Sequence, residues 1–337
     1  MDNEQVRFER LVAGGDALGH LADGRVVFVP GALPGELVDV QITQAKKDFA
    51  RGEVAAIIEP SAHRVTPPCP NVERGCGGCS WQHLDVSQHM DAKVQIVREA
   101  LKRTAKIDDA DITVGGQVAS EGTRTTVRMA VNAEGKLGFR RANSHDVIDT
   151  PTCLIAHPLL NNFIADVRVK GATEVTLRCA VATGEIGAWL HNEDGEEAPG
   201  ASIKGLPKNA EVGRMAVVHE HVHDVALQVS MSAFFQASPQ AAEMLVSAVN
   251  DAAGEDALTG QLGLVVDAYG GGGLFTATLV DNDVPVTIVE SSPSACADAR
   301  RNLHEHAVNI QQIAFEQWSP QIAGLVIADP ARNGLGA

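Results

Sequence analysis

The sequence predicts an α/β plus β protein, with an N-terminal OB-like β-barrel, a central α+β region and a C-terminal Rossmann-like α/β unit. Three observations carry this. Residues 1–59 alternate short apolar runs with the turn pairs Gly14-Gly15, Asp23-Gly24 and Pro34-Gly35, and several short strands in so short a segment suit a small barrel. From 112 to 230 the chain again reads as strands and turns. From 232 onward helix, strand, glycine run, helix, strand, helix and strand follow one another, the order of a parallel sheet with crossover helices. The division is 1–59, 60–230 and 231–337.

Each segment has its own grounds. Pro60, Pro67, Pro68 and Pro70 mark a connection after the barrel. Residues 86–104 form the clearest helix of the N-terminal half, with Met90, Val94, Val97 and Leu101 at helical spacing. Ser238-Pro239 opens a helix that Gly254 closes. Strands are predicted at 262–269, 284–290 and 324–330, and helices after the glycine run and after Ser292.

A chain of 337 residues with 45% hydrophobic content can fill two or three cores. No apolar run reaches the roughly 18 residues of a membrane helix, and MDNEQVRFER has no apolar secretory core. A cytoplasmic monomer is therefore expected. The net charge of −16 argues against a phosphate-binding surface spread over the whole chain. The charge is uneven, however. Residues 231–337 hold three basic against twelve acidic side chains, and residues 93–141 hold ten against six. A locally basic stretch is compatible with nucleic acid, and equally with a solvated helix and loop.

Asp267-Ala268-Tyr269 followed by Gly270 to Gly273 sits where a strand passes into a helix. Glycines there let backbone approach a ligand closely. Glu290 ends the next strand, where doubly wound sheets place an acid against a ribose diol. The pair points to a nucleoside-bearing cofactor. The glycines do not follow the G-x-G-x-x-G order of dinucleotide sites. An acid ahead of the glycines resembles motif I of S-adenosylmethionine-dependent methyltransferases. Asp329-Pro330-Ala331-Arg332 closes the last predicted strand, and Phe234-Phe235-Gln236 precedes the entry helix. Either run also reads as an ordinary turn or packing element.

Cys69, Cys76 and Cys79 follow C-x6-C-x2-C, and Cys153 lies further on. Four thiolates suit zinc or an iron–sulfur cluster. Gly77-Gly78 would let backbone wrap a bulky cluster, which favours iron–sulfur over zinc. Cys179 and Cys296 stand in apolar patterns, where a buried inert thiol is the default.

In this order the motifs resemble the RNA uracil-5-methyltransferases that form 5-methyluridine, over nearly the whole chain. Residues 1–59 look like the TRAM domain, an OB-type RNA-binding module. The cysteines with Trp81-Gln82-His83 look like the family's 4Fe-4S ligand set, Cys69, Cys76, Cys79 and Cys153. The resemblance implies S-adenosyl-L-methionine bound by Gln236, Tyr269, Glu290 and Asp329. It implies RNA as partner, ribosomal RNA before transfer RNA, and a helix 86–104 that packs onto the catalytic domain. Two positions depart from the pattern: Ala331 replaces a proline, and Leu274 replaces an asparagine after the glycines.

The family's reaction adds a cysteine thiolate to uracil C6, so that C5 can attack the methyl group, on a base lifted from its stack. Phe234 or Phe235 could stack on that base. That cysteine and a C-terminal glutamate fall later in the family. The nucleophile is thus expected after Ala337, and the chain to 337 is expected to bind but not to methylate, its sheet incomplete and its apolar edge exposed. Two other readings stay open. One is an RNA-binding iron–sulfur protein without catalysis. The other, a radical or redox enzyme, is disfavoured because C-x3-C-x2-C is missing.

Overall fold

Five strands close the N-terminal barrel: β1 (Asn3–Leu11), β2 (Ala17–His20), β3 (Val26–Val29), β4 (Leu37–Ala45) and β5 (Phe49–Glu59), in the order β1-β2-β3-β5-β4. The structure is a computed structural model that describes residues 3–142, 144–330 and 334; Ala331, Arg332 and Ala337 fall outside them. Contacts divide the chain into two units, Met1–Gln117 with Phe139–Ile148, and Val118–Gly138 with Asp149–Ala337. The division differs from the three sequence segments because part of the central region folds with each neighbour.

The barrel follows from period-two alternation. Val6 and Phe8 of β1, Val27 and Val29 of β3, and Val38 and Val40 of β4 all point inward and are buried. At Gly19 a Cβ would lie 2.6 Å from Val6 Cγ1, so the strands approach closely only because no side chain stands there. One charged side chain enters this unit's interior. Glu36 is fully buried, accepts from Leu33 N at 2.8 Å and Ser61 N at 3.1 Å, and pairs with Arg64 Nε at 2.6 Å and Nη2 at 2.8 Å. It ties the β3–β4 loop to the chain leaving β5.

After the short helix α1 (Pro70–Glu73) comes α2 (His89–Ala100), preceded by a 3-10 turn and followed by a π turn to Ala105. The span agrees with the predicted 86–104, but the face does not. Ala92 and Ile96 pack against the barrel core, while Val97 is 46% exposed. Val97 is therefore not part of a packed stripe, while Met90, Val94 and Leu101 are half-buried. The resemblance placed the helix on the catalytic domain; the packing seen for it is on the barrel, where Arg10 also pairs with Glu99 at 3.7 Å.

The second unit starts from a largely antiparallel sheet. Its strands are β6 (Thr126–Val131), β7 (Leu137–Arg140), β8 (Val147–Asp149), β10 (Glu174–Cys179), β11 (Ile186–His191) and β13 (Glu211–Val212), ordered β13-β11-β10-β6-β7-β8. The tip of the β7–β8 hairpin, 139–148, groups with the first unit. Between these strands lie α3 (Pro158–Ile164) and the paired strands β9 (Arg168–Lys170) and β12 (Ser202–Lys204). The hairpin β14 (Val217–Val222) and β15 (Val225–Ser230) leads to α4 (Pro239–Ala253). Ser238 Oγ caps that helix by accepting from Ala241 N at 3.2 Å, with proline in the first turn.

After α5 (Glu255–Leu258) comes the parallel sheet: β16 (Val265–Ala268), α6 (Leu274–Leu279), β17 (Val286–Glu290), α7 (Pro293–Asn302), β18 (Val308–Gln312) and β19 (Leu325–Ala328). The strand order is β18-β17-β16-β19. Three of these strands were expected. The fourth, β18, reads VNIQQ, too polar to register as a strand, and it lies on an edge where only one face needs apolar cover. The other edge strand, β19, leaves Val326 56% exposed. Among the described residues, no helix is long and apolar enough to cross a membrane.

Burial raises the Glu36 carboxyl, but the Arg64 pairing and the Ser61 and Leu33 amides more than offset this and hold it below the usual carboxylate range. The stability it contributes is present above its unfolded-state value and is lost as pH falls through its lowered folded value. Glu36→Ala should destabilise the first unit by about 2–3 kcal/mol, because it strands a half-buried arginine and two amides. It should also flatten the acid limb of the stability profile, which denaturant titrations between pH 3 and 7 would measure.

Candidate cofactor cleft

The carboxyl ends of β16, β17 and β19 meet around the glycine run, where ligands bind in parallel α/β sheets. Asp267, on β16, is 1% exposed; its Oδ2 accepts from Thr276 Oγ1 at 2.7 Å, and its Oδ1 has no hydrogen-bond partner. Burial, with Asp329 and Glu290 adding repulsion, pushes its carboxyl up to about 6 against the Thr276 bonds. Three carboxylates thus converge at one sheet edge.

Backbone geometry shapes the loop. Tyr269 takes a left-handed φ of 58°, unusual for an aromatic residue, and its N–H is held by Val289 O at 2.8 Å. Gly271 follows at φ 55°, with nothing within 4 Å of where its Cβ would stand. Its N–H donates to Glu290 Oε2 at 3.1 Å, while Glu290 Oε1 accepts from Ser292 N at 2.6 Å. Asn302 Nδ2, on α7, donates to Gly272 O at 2.9 Å.

A small cleft opens beside this loop. Gln236, Tyr269 and Asp329 line it, and Gln236 Nε2 donates to Asp329 Oδ2 at 3.1 Å. Glu290 stands beside the cleft, on the loop backbone. The four residues that the resemblance names therefore gather at one edge of one sheet. Leu274, at the position of the missing asparagine, lines the cleft as an apolar wall. No Lys or Arg lines it among the described residues. Acidic side chains at this edge give it a negative potential that favours a cationic group.

Several residues were missed in the sequence. Phe315 and Trp318 were among them; with Tyr269 they form an aromatic row, with ring centroids 5.2 and 5.8 Å apart, and Tyr269 Oη donates to Glu316 at 3.2 Å. Tyr269 lines the cleft, and Phe315 and Trp318 pack on the core formed by Val266, Ala268 and Val289. Asp298, 1% exposed, accepts from Ser230 N at 2.8 Å and Ser230 Oγ at 2.6 Å. A signal for it existed: Asp298 and Asn302 are one turn apart and adjoin the Ala295–Ala299 face.

The cysteines fall in both units. Cys69, Cys76 and Cys79 belong to the first and Cys153 to the second. Gln82 Oε1 accepts from Cys69 N at 3.1 Å and Trp81 Nε1 donates to Gly15 O at 3.1 Å, so the W-Q-H run fastens the cysteine loop to the barrel. Burial pushes the Cys76 thiol up, with Cys79 and Cys69 adding to the effect. In the second unit, Asn161 holds the Cys153 backbone through bonds of 2.9 Å to its N–H and C=O. Among the described residues, no three His, Cys, Asp or Glu side chains stand together as a metal-binding group.

Cys179 and Cys296 are buried, and burial pushes the Cys179 thiol up to about 12 and raises that of Cys296. A buried thiol with a raised value holds little thiolate at neutral pH and reacts slowly.

Comparison with known proteins agrees with these features. The TRAM domain model matches residues 4–55, within the barrel. An uncharacterized RNA methyltransferase of Streptomyces coelicolor is 31% identical, over 96% of this chain and 77% of that protein. One of Corynebacterium glutamicum is 30% identical, over 96% and 79%. Among solved structures, the Pyrococcus abyssi tRNA (uracil-54, C5)-methyltransferase in complex with S-adenosyl-L-homocysteine has a similar fold, with a TM-score of 0.67 and 20% identity over 98% of this chain and 84% of that one. A barrel matched by the TRAM model, an acid-rimmed cleft on a parallel sheet and relatives that span almost the whole sequence together place this chain in the RNA methyltransferase family.

Proposed function

We propose that the second unit binds S-adenosyl-L-methionine and that the protein methylates C5 of uridine in RNA, with ribosomal RNA as the substrate. The observation that carries the cofactor reading is the convergence of Asp267, Glu290 and Asp329 on a glycine loop, in a cleft without described basic residues. Asp329 and Gln236 would hold the amino-acid moiety and Glu290 the ribose hydroxyls. The Tyr269–Phe315–Trp318 row would cover the adenine. When bound, the cofactor supplies an electrophilic methyl group. The protein's own part is to orient it, exclude water from one face and neutralise its cationic charge.

The uracil reading is supported by the order of the motifs and by a fold shared with an enzyme of that chemistry. RNA as partner is supported by the barrel surface. There Lys46 Nζ lies 5.1 Å from the Phe49 ring, Arg51 5.8 Å from Phe28, and the two rings meet edge to face at 6.1 Å. Alternating cations and aromatics suit unpaired bases and their phosphates. On donor chemistry, Cys69, Cys76 and Cys79 with Cys153 are the residues to carry a 4Fe-4S cluster; no reaction step is assigned to it.

Calorimetric titration with S-adenosylhomocysteine tests the cofactor reading. Asp329→Ala and Glu290→Ala should each weaken binding about ten- to a hundredfold, the loss of a charge-assisted hydrogen bond; native affinity in both would refute the assignment. Mass mapping of RNA from cells with and without the gene should show loss of one 5-methyluridine, in ribosomal RNA. Loss from transfer RNA would move the substrate, and no loss would refute the activity.

The raised Asp267 carboxyl makes cofactor affinity pH-dependent. A cationic ligand favours the ionised form, so S-adenosylmethionine should bind more tightly as pH rises through about 6. The same rise weakens the fold, because a raised folded value gives stability that is present below the unfolded value and lost above the folded one. Asp267→Asn should abolish both slopes. Anaerobic reconstitution of the protein with iron and sulfide should give a broad visible absorption that Cys76→Ser removes.

A further inference from the structure

The segment that delivers Gln236 to the cleft is fixed at its near end by Arg178, which does not line the cleft, and by Asp298, which does, and at its far end by Thr125 and Ser238. At the near end stands Arg178, on β10, 4% exposed. Its Nε donates to Thr126 Oγ1 at 2.9 Å, Nη1 to Ser230 O at 2.5 Å and Nη2 to Ala233 O at 2.8 Å. Asp298 approaches the same residue from α7 and takes the N–H and hydroxyl of Ser230. Ser230 is itself fully buried and lies between a cation and an anion, its carbonyl toward the first and its N–H toward the second. At the far end, Thr125 N donates to Ala237 O at 3.0 Å, and Ser238 caps α4.

Between these ends the chain presents Phe234, Phe235 and Gln236. Phe234 is 74% exposed, which a free segment would relieve by folding the ring inward. Phe235 packs on the core and Gln236 meets Asp329. A buried guanidinium that spends its donors on backbone carbonyls of one turn fixes the path of that turn. Burial draws Arg178 down to about 10, with Asp298 opposing, so it stays charged at neutral pH.

We infer that Arg178 and Asp298, acting through Ser230, are positioning residues that clamp the 230–237 segment and thereby pre-set Phe234 and Gln236 for cofactor and substrate. The inference rests on the cofactor reading above. Neither residue contacts the reacting atoms through this bridge. Their effect is to spare the ligand the ordering of a loop, so their loss appears as weakened affinity and not only as lost stability.

Two variants separate these effects. Ser230→Ala removes one hydroxyl and keeps the backbone bonds to Arg178 and Asp298, so it should still melt cooperatively. Arg178→Met with Asp298→Asn removes both charges together and avoids stranding one of them in the interior. In both, S-adenosylhomocysteine should bind about tenfold more weakly by calorimetry. The amides of Met231 and Ala233, hydrogen-bonded in the native chain to Ala216 O and Ser230 O, should exchange about tenfold faster, by the same proportionality. Arg178→Lys, which keeps the charge but not the fork, should fall between native and double variant. Native affinity in Ser230→Ala would overturn the inference, as would weakened affinity with unchanged exchange. If the native chain itself binds no S-adenosylhomocysteine, the cofactor reading fails, and the clamp is then judged on exchange alone: native rates in both variants overturn it.

Discussion

Two side chains one turn apart on α7 hold the ligand edge of the second unit together. Asp298 takes the Ser230 N–H and hydroxyl, and Asn302 takes Gln228 N at 2.8 Å while donating to Gly272 O. One helix thus grips the last strand before α4 and the glycine loop after β16. These groups are buried or nearly so, and an unmade bond there would cost the full desolvation of its donor or acceptor. The apolar packing of α7 through Ala295 and Ala299 sets its distance from the sheet. The polar pair sets its register, which packing of small residues alone specifies weakly. The cleft, the path of 230–237 and the left-handed turn at Tyr269 all depend on that register.

Charge is distributed by the same logic. Glu36 and Arg178 are ionisable groups taken into the interior, each with donors or acceptors matched to its geometry. Asp267 differs. It keeps one oxygen unpaired, beside two other carboxylates, and its ionisation is disfavoured in consequence. An arrangement that lowers stability at neutral pH while it concentrates negative potential at a loop is what a cation-binding site requires.

Much of the fold could be read in advance because the pattern is strong where the period is clean. The barrel strands alternate, and the Ser238-Pro239 start and Gly254 stop of α4 are set by local chemistry that the fold does not override. The helix at 86–104 shows the limit. Its existence followed from spacing, but the choice of face did not. Met90, Val94, Val97 and Leu101 are the more apolar set, yet the barrel takes Ala92 and Ile96. Strand β18 was invisible because an edge strand needs little apolar content. In the site, acids and glycines announce themselves at strand ends. The pairing of Asp298 with Ser230 and of Arg178 with two carbonyls depends on contacts between residues far apart in sequence, which periodicity does not encode. Phe315 and Trp318 follow an unrecognised strand, so their place beside Tyr269 was hidden with it.

The net charge of −16 at first opposes an RNA substrate. Its distribution removes the conflict. The twelve acids against three bases of residues 231–337 include the carboxylates of the cofactor edge and the anchor Asp298. Asp298 among them serves the fold, through Ser230. Two of the barrel's cations stand against aromatic rings, Lys46 on Phe49 and Arg51 on Phe28, and Arg51 is also held by Asp16 at 3.1 Å, while Arg7, Arg10 and Arg25 pair with carboxylates. Such a pairing of cation and ring joins stacking to charge. RNA binding at this surface should therefore favour unpaired bases over duplex. That is the form of substrate an enzyme needs when its target base must leave the stack before reaction.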